Sequence, residues 1–210
     1  MRMHVLPAGP HALLVEVETQ ADVLALHAEI VARLEREGGW PWPRPTDVVP
    51  AARTVLIDGL QDPAPVAAAL PRFDAAPVAA GDGDTVCCPT VYDGPDLDEV
   101  AAHWDLTRHE AIELHTSTEF VVAFCGFAPG FAYLTGLPED RSVPRRQTPR
   151  TEVPAGSVAL AGDYSAVYPR RSPGGWQLIG RTEMALWDPD RDPAALLIPG
   201  VRVRFEDVGR

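Results

Sequence analysis

The chain has 210 residues, with 18 Lys+Arg against 30 Asp+Glu for a formal charge of −12 at pH 7, and 46% of its residues are apolar. That length fits one large domain or two small ones with a buried core, and the dispersed negative charge speaks against nucleic acid, whose phosphates are gripped by cations. Every basic residue is arginine, which keeps its proton, so the composition excludes a Schiff-base or pyridoxal-phosphate lysine, a P-loop lysine and a biotin carried on this chain.

Met1–Pro10 holds no apolar run of signal-peptide length. Ala12–Val17 is apolar and β-branched and reads as a strand. Val23, Leu26, Ile30, Val31 and Leu34 then fall on one helical face, and Gly38–Gly39 supplies the stop. Trp40-Pro-Trp-Pro-Arg-Pro45 has too few amide donors for a helix or a central strand. Thr54–Ile57 reads as a second strand, and Pro63 opens a short helix to Leu70. This alternation suggests a ferredoxin-like α+β unit. Residues 74–84, small, acidic and glycine-containing, place a domain boundary, and Gly81-Asp-Gly83 lacks the third glycine of a dinucleotide fingerprint.

Val86–Tyr92 follows as a strand and Leu97–Trp104 as a helix. A second helix is opened by Thr107 with Glu110 three residues on, the pattern of a capping box. From Phe120 onward come short apolar runs between prolines and glycines: Phe120–Phe124, Ser157–Ala161, Gln177–Ile179 and Val201–Phe205. That pattern predicts an all-β barrel or sandwich. The most apolar stretch, 120–134, is broken by Gly126, Pro129 and Gly130 and is no membrane span. Three cysteines, two of them adjacent at Cys87 and Cys88, and six scattered histidines give neither a disulfide framework nor a metal spacing. No metal and a reduced, cytoplasmic location are therefore expected.

Seven arginines lie between Arg141 and Arg181, against only Glu152 and Asp163. Such a stretch suits a carboxylate or phosphate held by bidentate forks; the bland alternative is a solvated face or pairing with the acidic N-terminal part. Cys125–Leu134 joins glycine freedom to Phe127, Phe131 and Tyr133, which would wall a pocket or make a tight turn between core strands. Ser172-Pro-Gly-Gly-Trp176 is either a nest of backbone amides or a hairpin turn. His115, at the end of the capped helix, is placed at a pocket mouth as the best acid/base candidate, although a lone histidine is more often structural. No Gly-x-Ser-x-Gly elbow appears around Ser157 or elsewhere.

Several ordered motifs converge on one family: Gly94-Pro-Asp-Leu97, Gly126-Phe-Ala-Pro-Gly-Phe-Ala-Tyr-Leu134, Pro144-Arg-Arg-Gln-Thr-Pro-Arg150, Val153-Pro-Ala-Gly-Ser-Val158, Tyr168-Pro-Arg-Arg-Ser-Pro-Gly-Gly-Trp-Gln-Leu-Ile-Gly-Arg-Thr182 and Leu196-Leu-Ile-Pro-Gly200. In these the chain resembles the allophanate hydrolase subunit 1, or carboxyltransferase C/D-type, family. The resemblance implies a ferredoxin-like domain over 1–82 and a cyclophilin-like β-barrel domain over 83–210. It implies the B subunit of an ATP-dependent 5-oxoprolinase, opening 5-oxoproline to L-glutamate. Its partners would be an allophanate hydrolase subunit 2-type protein and the lactam-utilisation-type A subunit, with ATP bound at the level of the complex. Two other roles occur in the family: a KipI-like inhibitor of a histidine kinase, and a carboxyltransferase component of urea or allophanate metabolism that would need a biotinylated partner.

Carried onto this chain, the resemblance assigns His115 to substrate orientation or proton transfer, and Arg145 and Arg150 to a carboxylate or phosphoryl group. Gly126, Phe127, Pro129, Gly130, Phe131, Ser157, Tyr168, Ser172, Pro173, Gly174, Gly175 and Trp176 complete the implied pocket, the Gly174–Gly175 amides steadying an oxyanion. One departure stands out. Where the family usually reads x-Gln-Thr-Gly-Ile-Tyr-Pro, this chain has Asp163-Tyr-Ser-Ala-Val-Tyr-Pro169, so Tyr164 replaces the glutamine and Ala166 the glycine.

Overall fold

Alternating apolar residues and capped helices account for most of the architecture in a computed structural model, which describes residues 1–76 and 85–209. The chain divides into two compact units on either side of the 77–84 segment. The boundary expected between residues 82 and 83, like the Gly81-Asp-Gly83 motif, lies outside the described residues.

The first unit contains β1 (Met3–Pro7), β2 (Leu13–Val17), α1 (Gln20–Glu35), β3 (Asp47–Pro50), β4 (Thr54–Asp58) and α2 (Pro63–Ala69). Its strands form one antiparallel sheet in the order β1-β2-β4-β3. Leu13, Val15 and Val17 point to one face and are buried with Val55 and Ile57 against Val23, Leu26 and Ile30 of α1. Thr19 starts α1 with a capping box: the Asp22 amide donates to the threonine hydroxyl oxygen at 3.1 Å, and the Thr19 amide donates to the Asp22 carboxylate at 3.2 Å. The proline-rich segment closes the core, Trp40 packing edge-on against Trp42 and Phe73. The two edge strands β1 and β3 were not expected from the sequence; Pro50 is tolerated because an edge strand can spare an amide donor.

The second unit contains β5 (Thr85–Thr90), α3 (Leu97–His103), α4 (Arg108–Ser117), β6 (Phe120–Cys125), β7 (Ala132–Thr135), β8 (Arg150–Val153), β9 (Ser157–Ala161), β10 (Tyr164–Val167), β11 (Ser172–Gly174), β12 (Gln177–Arg181) and β13 (Arg202–Asp207). Seven of these strands form a sheet in the order β12-β9-β10-β7-β6-β13-β5, and β8 pairs with β11 as a separate ribbon. The sheet closes nearly into a barrel. Val91, just past β5, exchanges two hydrogen bonds of 2.9 Å with Arg181 of β12. The Gly94 amide donates to the Ile179 carbonyl at 3.2 Å, and the Asp96 amide donates to the Leu178 carbonyl at 3.0 Å. A barrel, not a sandwich, is therefore the form taken.

This seam needs glycine. A Cβ on Gly94 would collide with the backbone of Leu178 and Ile179, and one on Gly180 would stand 2.6 Å from the Val91 carbonyl oxygen. Gly94→Ala should therefore force the seam apart and cost about 1–3 kcal/mol of stability, read from the denaturant midpoint.

Candidate functional site

The chain leading into β8 bears three closely spaced arginines, Arg145, Arg146 and Arg150, and a buried acid sorts them. Asp96, at the start of α3, is 3% exposed. Its Oδ1 accepts from Arg146 Nη1 at 2.8 Å and from Arg150 Nη2 at 2.7 Å, while its Oδ2 accepts from the Leu178 backbone amide at 2.6 Å. A buried carboxylate is costly unless it is paired and hydrogen-bonded, and here both conditions are met. Two further bonds fasten the same loop: the Arg146 amide donates to the Gly175 carbonyl at 2.8 Å, and Gln177 Nε2 donates to the Pro144 carbonyl at 3.3 Å.

Arg145 makes no ion pair among the described residues. It lines a cavity of about 130 Å³ with Phe127, Phe131, Tyr133, Tyr168, Trp176 and the Pro173–Gly175 segment. Phe131 is the hub of the aromatic wall, meeting Phe127, Tyr133, Tyr168 and Trp176 edge-on with ring centroids 5.1–5.5 Å apart. Tight packing of another kind is found at Gly174, where a Cβ would overlap the Tyr168 hydroxyl, so only glycine fits beside that phenol.

The turn that carries Phe127 is strained. The Ala128 amide donates to the Gly126 carbonyl at 2.7 Å, two residues back, and Phe127 between them has φ +66°. That is a γ-turn of the rare, costly hand. Its product is an aromatic ring 59% exposed at the cavity rim. Burial raises the pKa of both Tyr133 and Tyr168. The Arg145 charge opposes this at Tyr133; at Tyr168 a backbone hydrogen bond with Trp176 and the Arg145 and Arg150 charges do so. Both remain neutral phenols at pH 7 and able to donate hydrogen bonds.

Several expected site residues lie elsewhere. His115 is not at a pocket mouth. It is 1% exposed in the barrel core, with Nδ1 2.7 Å from Tyr92 Oη and Nε2 3.0 Å from Ser165 Oγ, and with the rings of Phe120 and Phe205 packed against it. Burial drives its pKa down to about 3, so it stays neutral. Arg150 is committed to Asp96 and does not line the Arg145 cavity. Ser157 is buried, its hydroxyl donating to the Pro154 carbonyl at 2.8 Å. Gly126, Pro129 and Gly130 do not line the cavity but build the turn that presents Phe127 and Phe131. Ser172 leads into the lining Pro173–Gly175 segment without lining it.

Two residues matter more than the sequence suggests. Asp96 carries no expected role, although it sits inside the Gly94–Leu97 motif. Tyr164, the departure from the family pattern, packs edge-on against Phe124 and Tyr133 at 5.6 and 5.7 Å and extends the aromatic wall. Within the second unit, the acids paired with Arg146, Arg150, Arg171 and Arg181 are Asp96, Glu152 and Asp93. Among the described residues no helix is long and apolar enough to cross a membrane, and no cluster of His, Cys, Asp or Glu is placed to hold a metal ion.

With this geometry in view, comparison with known proteins is informative. The chain belongs to the family described as "Carboxyltransferase domain, subdomain C and D", whose model matches residues 3–197. It is 55% identical over 120 residues to the 5-oxoprolinase B subunit of Escherichia coli O157:H7, covering 56% of this chain and 55% of that protein. Against the 5-oxoprolinase B subunit of Bacillus subtilis it is 49% identical over 112 residues, covering 53% and 47%. The chain thus matches about half the length of these curated relatives. The crystal structure of TTHA0988 matches 99% of this chain with 40% of its own, at 33% identity and a TM-score of 0.74.

The buried histidine has a consequence for stability. Its pKa is near 6.5 when unfolded and about 3 when folded, so between those values the unfolded chain binds the extra proton. The stability His115 allows is fully present above pH 6.5 and falls as the pH is lowered toward 3, with a slope of up to about 1.4 kcal/mol per pH unit. Denaturant unfolding across pH 4–7 should show that decline, and His115→Gln should flatten it.

Proposed function

We propose that this chain acts as the B subunit of an ATP-dependent 5-oxoprolinase, in which the second unit holds the substrate while the complex opens the lactam to L-glutamate. The observation that carries this reading is Arg145: an arginine with no acidic partner among the described residues, set in a small aromatic-walled cavity, in a chain about half identical over its matched region to proteins named for that complex. Its guanidinium grips the substrate carboxylate through a charge-assisted fork. The flat five-membered ring lies against Phe131, Tyr133 and Trp176, and the neutral Tyr133 and Tyr168 phenols donate to its carbonyl. His115 takes no part in proton transfer and serves the barrel core.

A cavity of about 130 Å³ suits a small ring. ATP is assigned to the assembled complex with the subunit 2-type and lactam-utilisation-type partners, in the cytoplasm. The finer description of the fold belongs to the same reading, with residues 1–82 as a ferredoxin-like domain and 83–210 as a cyclophilin-like barrel. In the former, the β2-α1-β3-β4-α2 course supports it, the fourth strand being supplied from the N-terminus by β1.

Co-expression with the two partner proteins, followed by 5-oxoproline-dependent ADP release, tests the proposal. Turnover should require all components. Arg145→Ala should lower kcat/KM about 10- to 100-fold, the worth of one charged hydrogen-bonded contact, with assembly intact. Turnover unchanged by Arg145→Ala, or no turnover from an assembled complex, would overturn it.

A further inference from the structure

Arg145 is shared by two cavities. Beyond the aromatic one lies a larger, more polar cleft of about 370 Å³, lined among others by Glu99, Arg145, Arg146, Thr148 and Gln177. Its charge balance is incomplete. Arg146 and Arg150 share a single buried carboxylate, and both oxygens of Asp96 are already occupied, one by these two guanidinium groups and the other by the Leu178 amide, while Arg145 has no acidic partner among the described residues. A buried donor is left over on the cleft lining: Arg146 Nε has no hydrogen-bond partner among the described residues.

The cleft also has an unmet acceptor. Gln177 is 4% exposed, and its Nε2 donates to the Pro144 carbonyl, which fixes the orientation of the amide and leaves Oε1 buried and unpaired. A ligand suited to this wall must accept from guanidinium groups and from the Thr148 hydroxyl, and must donate one hydrogen bond to Gln177. A carboxylate satisfies only the first requirement. A tetrahedral oxyanion that keeps a proton satisfies both, its charged oxygens accepting and its O–H donating.

We propose that the Arg145–Thr148 cleft binds a hydrogen phosphate or phosphoryl group, with Arg145 as the wall between it and the aromatic cavity. The site then takes a two-part load, a flat acid on one side of the arginine and a phosphate-class anion on the other. This extends the preceding reading of Arg145 and rests on it for the aromatic side only. Glu99 is the one opposing charge on the cleft, and its removal should strengthen anion binding.

Titration calorimetry of the full chain with inorganic phosphate, sulfate and acetate at fixed ionic strength tests this, with 5-oxoproline titrated into the same preparations. Phosphate should bind saturably and more tightly than sulfate, which carries no proton at pH 7, or acetate. Arg145→Gln should weaken phosphate about ten-fold or more, and Glu99→Gln should tighten it. Displacement of phosphate by ATP would assign the anion to a nucleotide-borne phosphoryl group, and no displacement to free phosphate. Absence of saturable phosphate binding, equal affinity for sulfate, or indifference to both Arg145→Gln and Glu99→Gln would overturn the proposal. If 5-oxoproline binds and phosphate does not, the cleft proposal fails alone; if phosphate binds and 5-oxoproline does not, the substrate reading fails alone.

Discussion

One buried carboxylate joins the barrel to its candidate site. Asp96 meets Leu178 twice, its amide donating to the Leu178 carbonyl and its side chain accepting from the Leu178 amide, and so helps to close the seam between the chain after β5 and β12. The same side chain holds Arg146 and Arg150. Closure of the sheet and placement of the arginine loop are thus one event. Taking the acid out of water is repaid only because three donors surround it. Arg146 and Arg150 are used in that repayment, and Arg145 is left lining the aromatic cavity with no acidic partner among the described residues.

The cavity that Arg145 faces is made from short-range strain and long-range packing together. The γ-turn at Phe127 sets an exposed aromatic ring at the cavity rim, and Gly174 clears the space in which the Tyr168 hydroxyl sits. Tyr164 enlarges the aromatic cluster through Phe124 and Tyr133 while standing outside the cavity lining itself. The polar side of Arg145 follows the opposite logic, with more guanidinium N–H groups than carboxylate oxygens can accept.

What could be read in the sequence was what is local. The capping box at Thr107, the helix face of Val23, Leu26 and Ile30, and the apolar strands beginning at Phe120, Ser157 and Gln177 announce themselves through neighbouring residues. The glycine- and aromatic-rich pieces of the cavity did so too, because each is one continuous motif. The strands β7, β8, β10 and β11 are three or four residues long and owe their form to the strands beside them. The Asp96 clasp links positions 50 and 54 residues apart, which no spacing rule detects. The error at His115 had a usable signal: it lies four residues after Ala111, on the same buried face of α4, so the helix turns it inward.

Equilibrium unfolding of Asp96→Asn, compared with the parent chain at pH 7, tests the central claim most directly. The substitution keeps the shape but sets an amide against two guanidinium groups and removes the charge that holds them. The clasp predicts a loss of about 3 kcal/mol or more, the usual cost of removing one partner from a buried ion pair. A change smaller than about 0.5 kcal/mol, the range of an ordinary surface substitution, would contradict it.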